Sequence, residues 1–219
     1  MGGLVPTRAV IFDLWQTLID FPEEAGREFE SRMAKLLDED PAAFHERWVG
    51  DRPEREVGAL ADSLRRLGFP EESIPALVEE RQEFTRTAIA PRSGAIETLR
   101  ELRRRGYKLG LISVCSEDVP AVWDESPFAG LFDSTVFSAR CGLLKPDAEI
   151  YLLALRELGV RPEDAVFVGD GANDELAGAE RVGMRAILIH RAGEDPAWDE
   201  LRDWDGPRIT TIPEVLELV

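Results

Sequence analysis

Short apolar runs that stop at a polar residue recur along this chain, and stretches of helical periodicity separate them. The first run, Val10-Ile11-Phe12, ends at Asp13. Its residue types favour strands, and an unbroken run of them predicts a strand buried on both faces. Asp13 then stands at the carboxyl end, the edge where open parallel sheets bind ligands. Alone, an aspartate there serves equally as nucleophile, metal ligand or helix cap. From residue 92 onward strands and helices alternate. The pattern predicts a helix over 93–105 stopped by Gly106, a strand over 108–112, a short helix over 117–125 and a strand over 135–137. A helix over 146–158 ended by Gly159, a strand over 165–168, a helix over 174–182 ended by Gly183 and a strand over 185–189 follow. Residues 208–210 add an edge strand, and a last short helix begins at Pro213. Such alternation is the signature of a mostly parallel sheet with helices on its faces.

Between the first strand and this region the period changes. Residues 19–91 are helical in pattern, with Phe29, Met33, Leu36 and Leu37 three or four apart and charges on most turns. Asp40-Pro41 predicts a helix start, and further helices are expected over 54–67, closed by Gly68, and over 71–89. The expected organisation is a Rossmann-like, doubly wound α/β core formed by 1–18 and 92–219, with an all-helical insert over 19–91. The segment 193–207, with Trp198 and Trp204, reads only as surface.

Composition narrows the partners. A formal charge of -17 across 219 residues argues against nucleic acid or an anionic membrane, which demand a basic face. A small anionic substrate remains compatible, provided local cations overcome the background field. No apolar run approaches the roughly 20 residues that cross a bilayer, and no signal peptide is legible, so a soluble cytoplasmic protein is expected. Cys115 and Cys141 are expected to be free thiols.

Polar residues at successive strand ends form a coherent chemical set: Asp13, Ser113, Lys145, and Asp170 with Asp174. They supply a nucleophilic carboxylate, a hydroxyl, a cation and acids suited to a hard metal ion. With IFDLWQTL, LISV, KPDAEIY and VFVGDGANDELAGA in that order, the sequence resembles the haloacid dehalogenase (HAD) superfamily across its core. The resemblance implies that Asp13 attacks phosphorus to form an aspartyl phosphate. It further implies Mg²⁺ held by Asp13, the Trp15 backbone carbonyl and Asp170, with Asp174 near the ion. Ser113 and Lys145 would act on the phosphoryl group, Gln16, Thr17 and Val114 would line its site, and the insert would be the family's cap. The expected substrate is a small phosphorylated metabolite.

One departure is chemical. Phosphatases of the superfamily usually carry a second aspartate two residues after the nucleophile, to protonate the leaving oxygen. That place is Trp15 here, and indole exchanges no proton near neutral pH. Gln16 replaces the usual glycine, and Val114 an often-seen asparagine. An acid borrowed from the insert, with Glu23 and Glu24 as candidates, would restore the step. The alternatives are a 2-haloacid dehalogenase, which also carries an aromatic residue there and with which Tyr151 agrees, and a phosphate-binding or regulatory protein with vestigial activity. A phosphonoacetaldehyde hydrolase would need a cap lysine, for which Lys35 is the only residue available in the insert. His45, Arg47, Arg52 and Arg55 of the insert either contact an anionic substrate or pair with nearby glutamates, Trp48 is a potential core anchor, and His190 reads as structural.

Overall fold

A computed structural model of the chain describes residues 7–190 and 204–219. Six strands form one sheet: β1 (Ala9–Phe12), β2 (Lys108–Ser113), β3 (Ser134–Phe137), β4 (Ala165–Gly169), β5 (Arg185–Ile189) and β6 (Arg208–Ile209). They lie in the order β3-β2-β1-β4-β5-β6, and every pairing is parallel. This is the α/β, doubly wound arrangement that the alternating pattern predicts. All of β1 is buried, and its alternation divides the core. Val10 and Phe12 pack with α6 (Ala95–Arg104) and α7 (Asp118–Val122) on one face. Ala9 and Ile11 pack with α9 (Ala148–Leu158) and α10 (Glu175–Arg181) on the other.

The register aligns the strand ends. Phe12 stands opposite Leu111 of β2 and Val168 of β4. The Asp13 amide continues the ladder by donating to the Val168 carbonyl at 2.9 Å. The loops after β1, β2 and β4 therefore open on the same edge.

Between β1 and β2 the chain is helical: α1 (Glu23–Leu36), α2 (Pro41–Gly50), α3 (Arg52–Arg55), α4 (Leu60–Arg66) and α5 (Ile74–Ala88). These helices close on an apolar cluster of their own, built around Phe29, Met33, Phe44, Trp48, Leu64 and Leu77. Asp40 caps α2 as its Asp-Pro signature predicts, accepting from the Ala42 and Ala43 amides at 3.0 and 3.1 Å. The single helix expected over 54–67 is instead two. Glu117, from the loop before α7, accepts the Leu60 amide at 3.0 Å, so a tertiary contact caps α4 where a continuous helix would supply its own carbonyl. Ends of the helical segment lie together: Ile19 pairs with Pro91, and the Arg92 amide donates to the Leu18 carbonyl at 2.8 Å. Among the described residues no helix is long and apolar enough to cross a membrane. Trp198 lies outside the described residues, whereas Trp204 packs at the margin of the cluster holding Ile11. A one-turn helix after β3, α8 (Ser138–Cys141), has no counterpart in the sequence pattern.

Close packing of α10 follows from Gly178. A Cβ there would lie 2.6 Å from the Tyr151 hydroxyl and 2.9 Å from the Pro146 carbonyl oxygen. Gly178→Val should cost about 1–3 kcal/mol in a urea unfolding experiment, because both neighbours are fixed by buried elements. An unaltered midpoint would mean that α10 does not depend on this approach.

Candidate active site

Lys145 is the centre of the site. Its side chain is 4% exposed, and its ammonium donates to Asp13 Oδ1 and to Glu175 Oε2, each at 2.5 Å. It also stands 5.6 Å from the Phe167 ring centroid. Burial opposes its charge, but the neighbouring Asp13 and Glu175 carboxylates outweigh that penalty and hold the ammonium above its ordinary pKa. Burial, reinforced by the Asp13 charge, raises Asp170. Burial also drives Glu175 well above its usual range, against the pull of Lys145.

The loop after β4 shapes the acidic side. Gly171, at φ +87°, turns the chain so that its amide donates to Glu175 Oε1 at 3.0 Å. The Ala172 amide donates to Asp170 Oδ1 at 3.1 Å. Gly169 leaves the space that Glu175 fills, since a Cβ there would fall 2.1 Å from Glu175 Oε1. Asp13, Asp170 and Glu175 offer carboxylate oxygens within 4.8 Å of one another. The donors are all hard oxygens, and three carboxylates face one ammonium, so the set fits a hard divalent cation such as Mg²⁺. Glu175 is already committed to Lys145 and the Gly171 amide, which leaves Asp13 and Asp170 as the better ligands.

These residues open into a cavity of about 510 Å³, walled on one side by strand-end loops and on the other by the helical segment. Trp15, Gln16 and Val114 line it, with Asp13, Lys145 and Asp170. Trp15 meets Phe21 edge to face, ring centroids 5.5 Å apart. Gln16 adopts φ +59°, the conformation suited to a glycine, and its amide oxygen accepts from Arg92 at 3.1 Å. Ser113 and Thr17 are fully buried outside the lining, and neither hydroxyl has a hydrogen-bond partner among the described residues.

Asp174 is the residue that the structure does not bring in. It is exposed, at φ +56° in the turn before α10, and Glu175 takes the buried position beside Lys145. The reason is helical phase: Glu175 is one turn before Gly178, so it faces the Lys145-Pro146 loop that Gly178 approaches. The small pair Gly178-Ala179 in the sequence is the signal that marks this buried face. Of the candidate acids on α1, Glu24 does not line the cavity, and Glu23 is largely exposed and pairs with Arg27 at 3.2 Å. Glu23, Glu30 and Glu56 all line the cavity, the last two paired with His45 at 2.5 Å and Arg52 at 2.6 Å. Arg47 pairs with Glu39, and Lys35 is exposed and outside the lining. Tyr151 is buried and donates to the Glu175 carbonyl at 2.8 Å. Cys115 and Cys141 are free, and burial pushes the Cys115 thiol up. The His190 amide donates to the Ile209 carbonyl at 3.1 Å, joining β5 to β6.

The sequence matches the haloacid dehalogenase-like hydrolases over residues 7–183. The chain belongs to that family. It is similar to a glyceraldehyde 3-phosphate phosphatase of Methanopyrus kandleri, with 37% identity over 71% of this chain and 69% of the relative. It is similar to an (S)-2-haloacid dehalogenase of Pseudomonas sp. (strain YL) as well, with 27% identity over 96% of this chain and 94% of the relative. The HAD phosphatase structure from Thermococcus onnurineus shares the fold, with TM-score 0.72, 22% identity and 97% of both chains covered. This HAD hydrolase therefore carries the buried Lys145 cluster within a fold that relatives of both kinds share.

Lys145→Met would strand two buried carboxylates and should cost about 3–5 kcal/mol in metal-free denaturant unfolding. Asp174→Asn should stay within about 0.5 kcal/mol of the parent in the same experiment, as expected of an exposed position. Equal losses in the two variants would contradict the assignment of Glu175 rather than Asp174 to the cluster.

Proposed function

We propose that the protein is a divalent-cation-dependent phosphatase of small phosphorylated metabolites, with Asp13 as nucleophile. The acidic cluster carries this reading. A carboxylate nucleophile alone suits several reactions, but Asp170 beside it raises local negative charge, which is unfavourable unless a cation is to be held there. A bound divalent ion would neutralise charge between Asp13 and an anionic phosphate, held by Asp13, Asp170 and the Trp15 carbonyl.

The chain's own groups then divide the work. An Asp13 oxygen attacks phosphorus, the bond to the leaving oxygen breaks, and an aspartyl phosphate forms. Water attacks that phosphorus in turn, releasing inorganic phosphate and restoring Asp13. Lys145 orients Asp13 through its 2.5 Å bond and offsets charge on the phosphoryl group. The helical segment serves as the cap, completing the wall of the cavity and limiting water.

The leaving oxygen finds no aspartate at position 15. The indole there packs against Phe21, so the wall near the nucleophile is apolar. Esters with good leaving groups are thus the favoured substrates. That same wall favours a second reading, release of halide from a 2-haloacid, in which no leaving-group proton is needed and the cation is dispensable.

Phosphate release from aryl phosphate and acetyl phosphate, with Mg²⁺ and with EDTA, separates the two. The expected result is turnover lost in EDTA and in Asp13→Asn, with sugar phosphates slower. Trp15→Asp should raise kcat on alkyl phosphates by about tenfold or more and change aryl phosphate hydrolysis little, as a restored general acid would. Metal-independent chloride release from 2-chloropropionate, without phosphate release, would replace the phosphatase reading with the dehalogenase one.

A further inference from the structure

Arg92 reaches from the end of the helical segment into the loop that carries the nucleophile. The chain enters that segment past Ile19 and leaves it past Pro91, and these two residues pair. The Arg92 side chain, 14% exposed, then makes three contacts with the loop after Asp13. Its Nε donates to Asp20 Oδ1 at 2.7 Å, its Nη1 to the Thr17 carbonyl at 3.2 Å and its Nη2 to Gln16 Oε1 at 3.1 Å. Arg92 itself does not line the cavity, so it acts on whatever occupies that space only through the residues it holds.

The contact with Gln16 fixes the chemistry of that side chain. A guanidinium only donates, so the atom turned to Arg92 is the amide oxygen, and the Nε2 end takes the opposite direction. Gln16 lines the cavity together with Asp13 and Lys145. Its backbone lies at φ +59°, where glycine is at ease and a residue with a side chain is strained. Such strain persists where surrounding contacts over-determine the conformation, and the Arg92 clamp supplies them. A glycine would fit this turn more easily and would present no amide.

We propose that Gln16 is a further catalytic residue, donating an Nε2 hydrogen to an oxygen of the transferring phosphoryl group, and that Arg92 is its positioning residue. This deepens the phosphatase reading and rests on it. Transfer to Asp13 brings an anionic group up to the Asp13 and Asp170 carboxylates, and a fixed N–H beside it offsets charge without giving up a proton. Arg92 strengthens the donor as well as aiming it, because a cation on the amide oxygen polarises the N–H bonds.

The test is kcat for 4-nitrophenyl phosphate with Mg²⁺ in Gln16→Gly, Arg92→Met and the double variant. Glycine suits the backbone at this position, so Gln16→Gly should fold and should lower kcat about tenfold or more, the scale of one donor to a transition-state oxyanion. An unchanged or raised kcat overturns the assignment. Arg92→Met should lower kcat severalfold in the parent and add little in the Gln16→Gly background, since its effect passes through Gln16. Equal factors in the two backgrounds would make Arg92 a structural clamp of the loop and overturn its positioning role. Arg92→Lys, which keeps a donor for one oxygen, should recover part of the parent rate. Should Arg92→Met fail to fold, Arg92→Lys in the same two backgrounds decides in its place. If the parent releases no phosphate from this ester, the phosphatase reading fails separately, and calorimetric titration with orthovanadate judges Gln16 alone. Binding weakened about tenfold in Gln16→Gly then supports the donor, and equal binding in the two, or none in the parent, overturns it.

Discussion

One buried ammonium holds the functional half of this molecule together. Lys145 lies between Asp13 and Glu175, which come from ends of the chain far apart in sequence. Without it, carboxylates in a buried, weakly polarisable setting would repel and take up protons. With it, the Asp13 carboxylate is held in one orientation by a 2.5 Å hydrogen bond. The same pair of contacts ties the loop after β1 to α10 and to the loop before α9. Structure and chemistry therefore depend on one interaction, as is common where ion pairs are buried at active sites.

The parallel sheet makes that interaction possible. Because β2, β1 and β4 run side by side in one direction, the loops leaving their carboxyl ends emerge together. Small residues then set the distances. Gly169 makes room for the Glu175 carboxylate, and Gly178 lets α10 approach the Lys145-Pro146 loop. A side chain at either glycine would push the acid and the lysine apart.

The helical segment contributes a wall of a different character. Its own apolar cluster gives it internal rigidity, while Asp118 and Glu117 of the core engage Arg81, Thr85 and Leu60 across the boundary. Trp15 supplies an aromatic face on the core side, packed on Phe21 from the root of the segment. The cavity thus runs from an acidic end at Asp13 and Asp170 to an arginine-lined one, with an indole where a proton donor is usual in the superfamily.

Most of the architecture is written in local patterns. The β1 run, the strand and helix alternation after residue 92, and the Asp40-Pro41 cap each depend on a few adjacent residues, and their structures follow. Asp13, Lys145 and Asp170 are legible as polar residues at the ends of apolar runs. What sequence alone misplaces is governed by contacts between distant segments. The helix expected over 54–67 divides because Glu117 caps Leu60 from the core. Glu175 rather than Asp174 meets Lys145, because the phase of α10 is fixed by Gly178 against Pro146. Arg55 looks like any other arginine on a charged helix, and only packing reveals that it is buried against the Trp48 ring and paired with Asp51. Periodicity and residue type determine which elements form and which residues can do chemistry. Burial, helical phase and competition for partners determine which of them meet, and those are properties of the folded molecule.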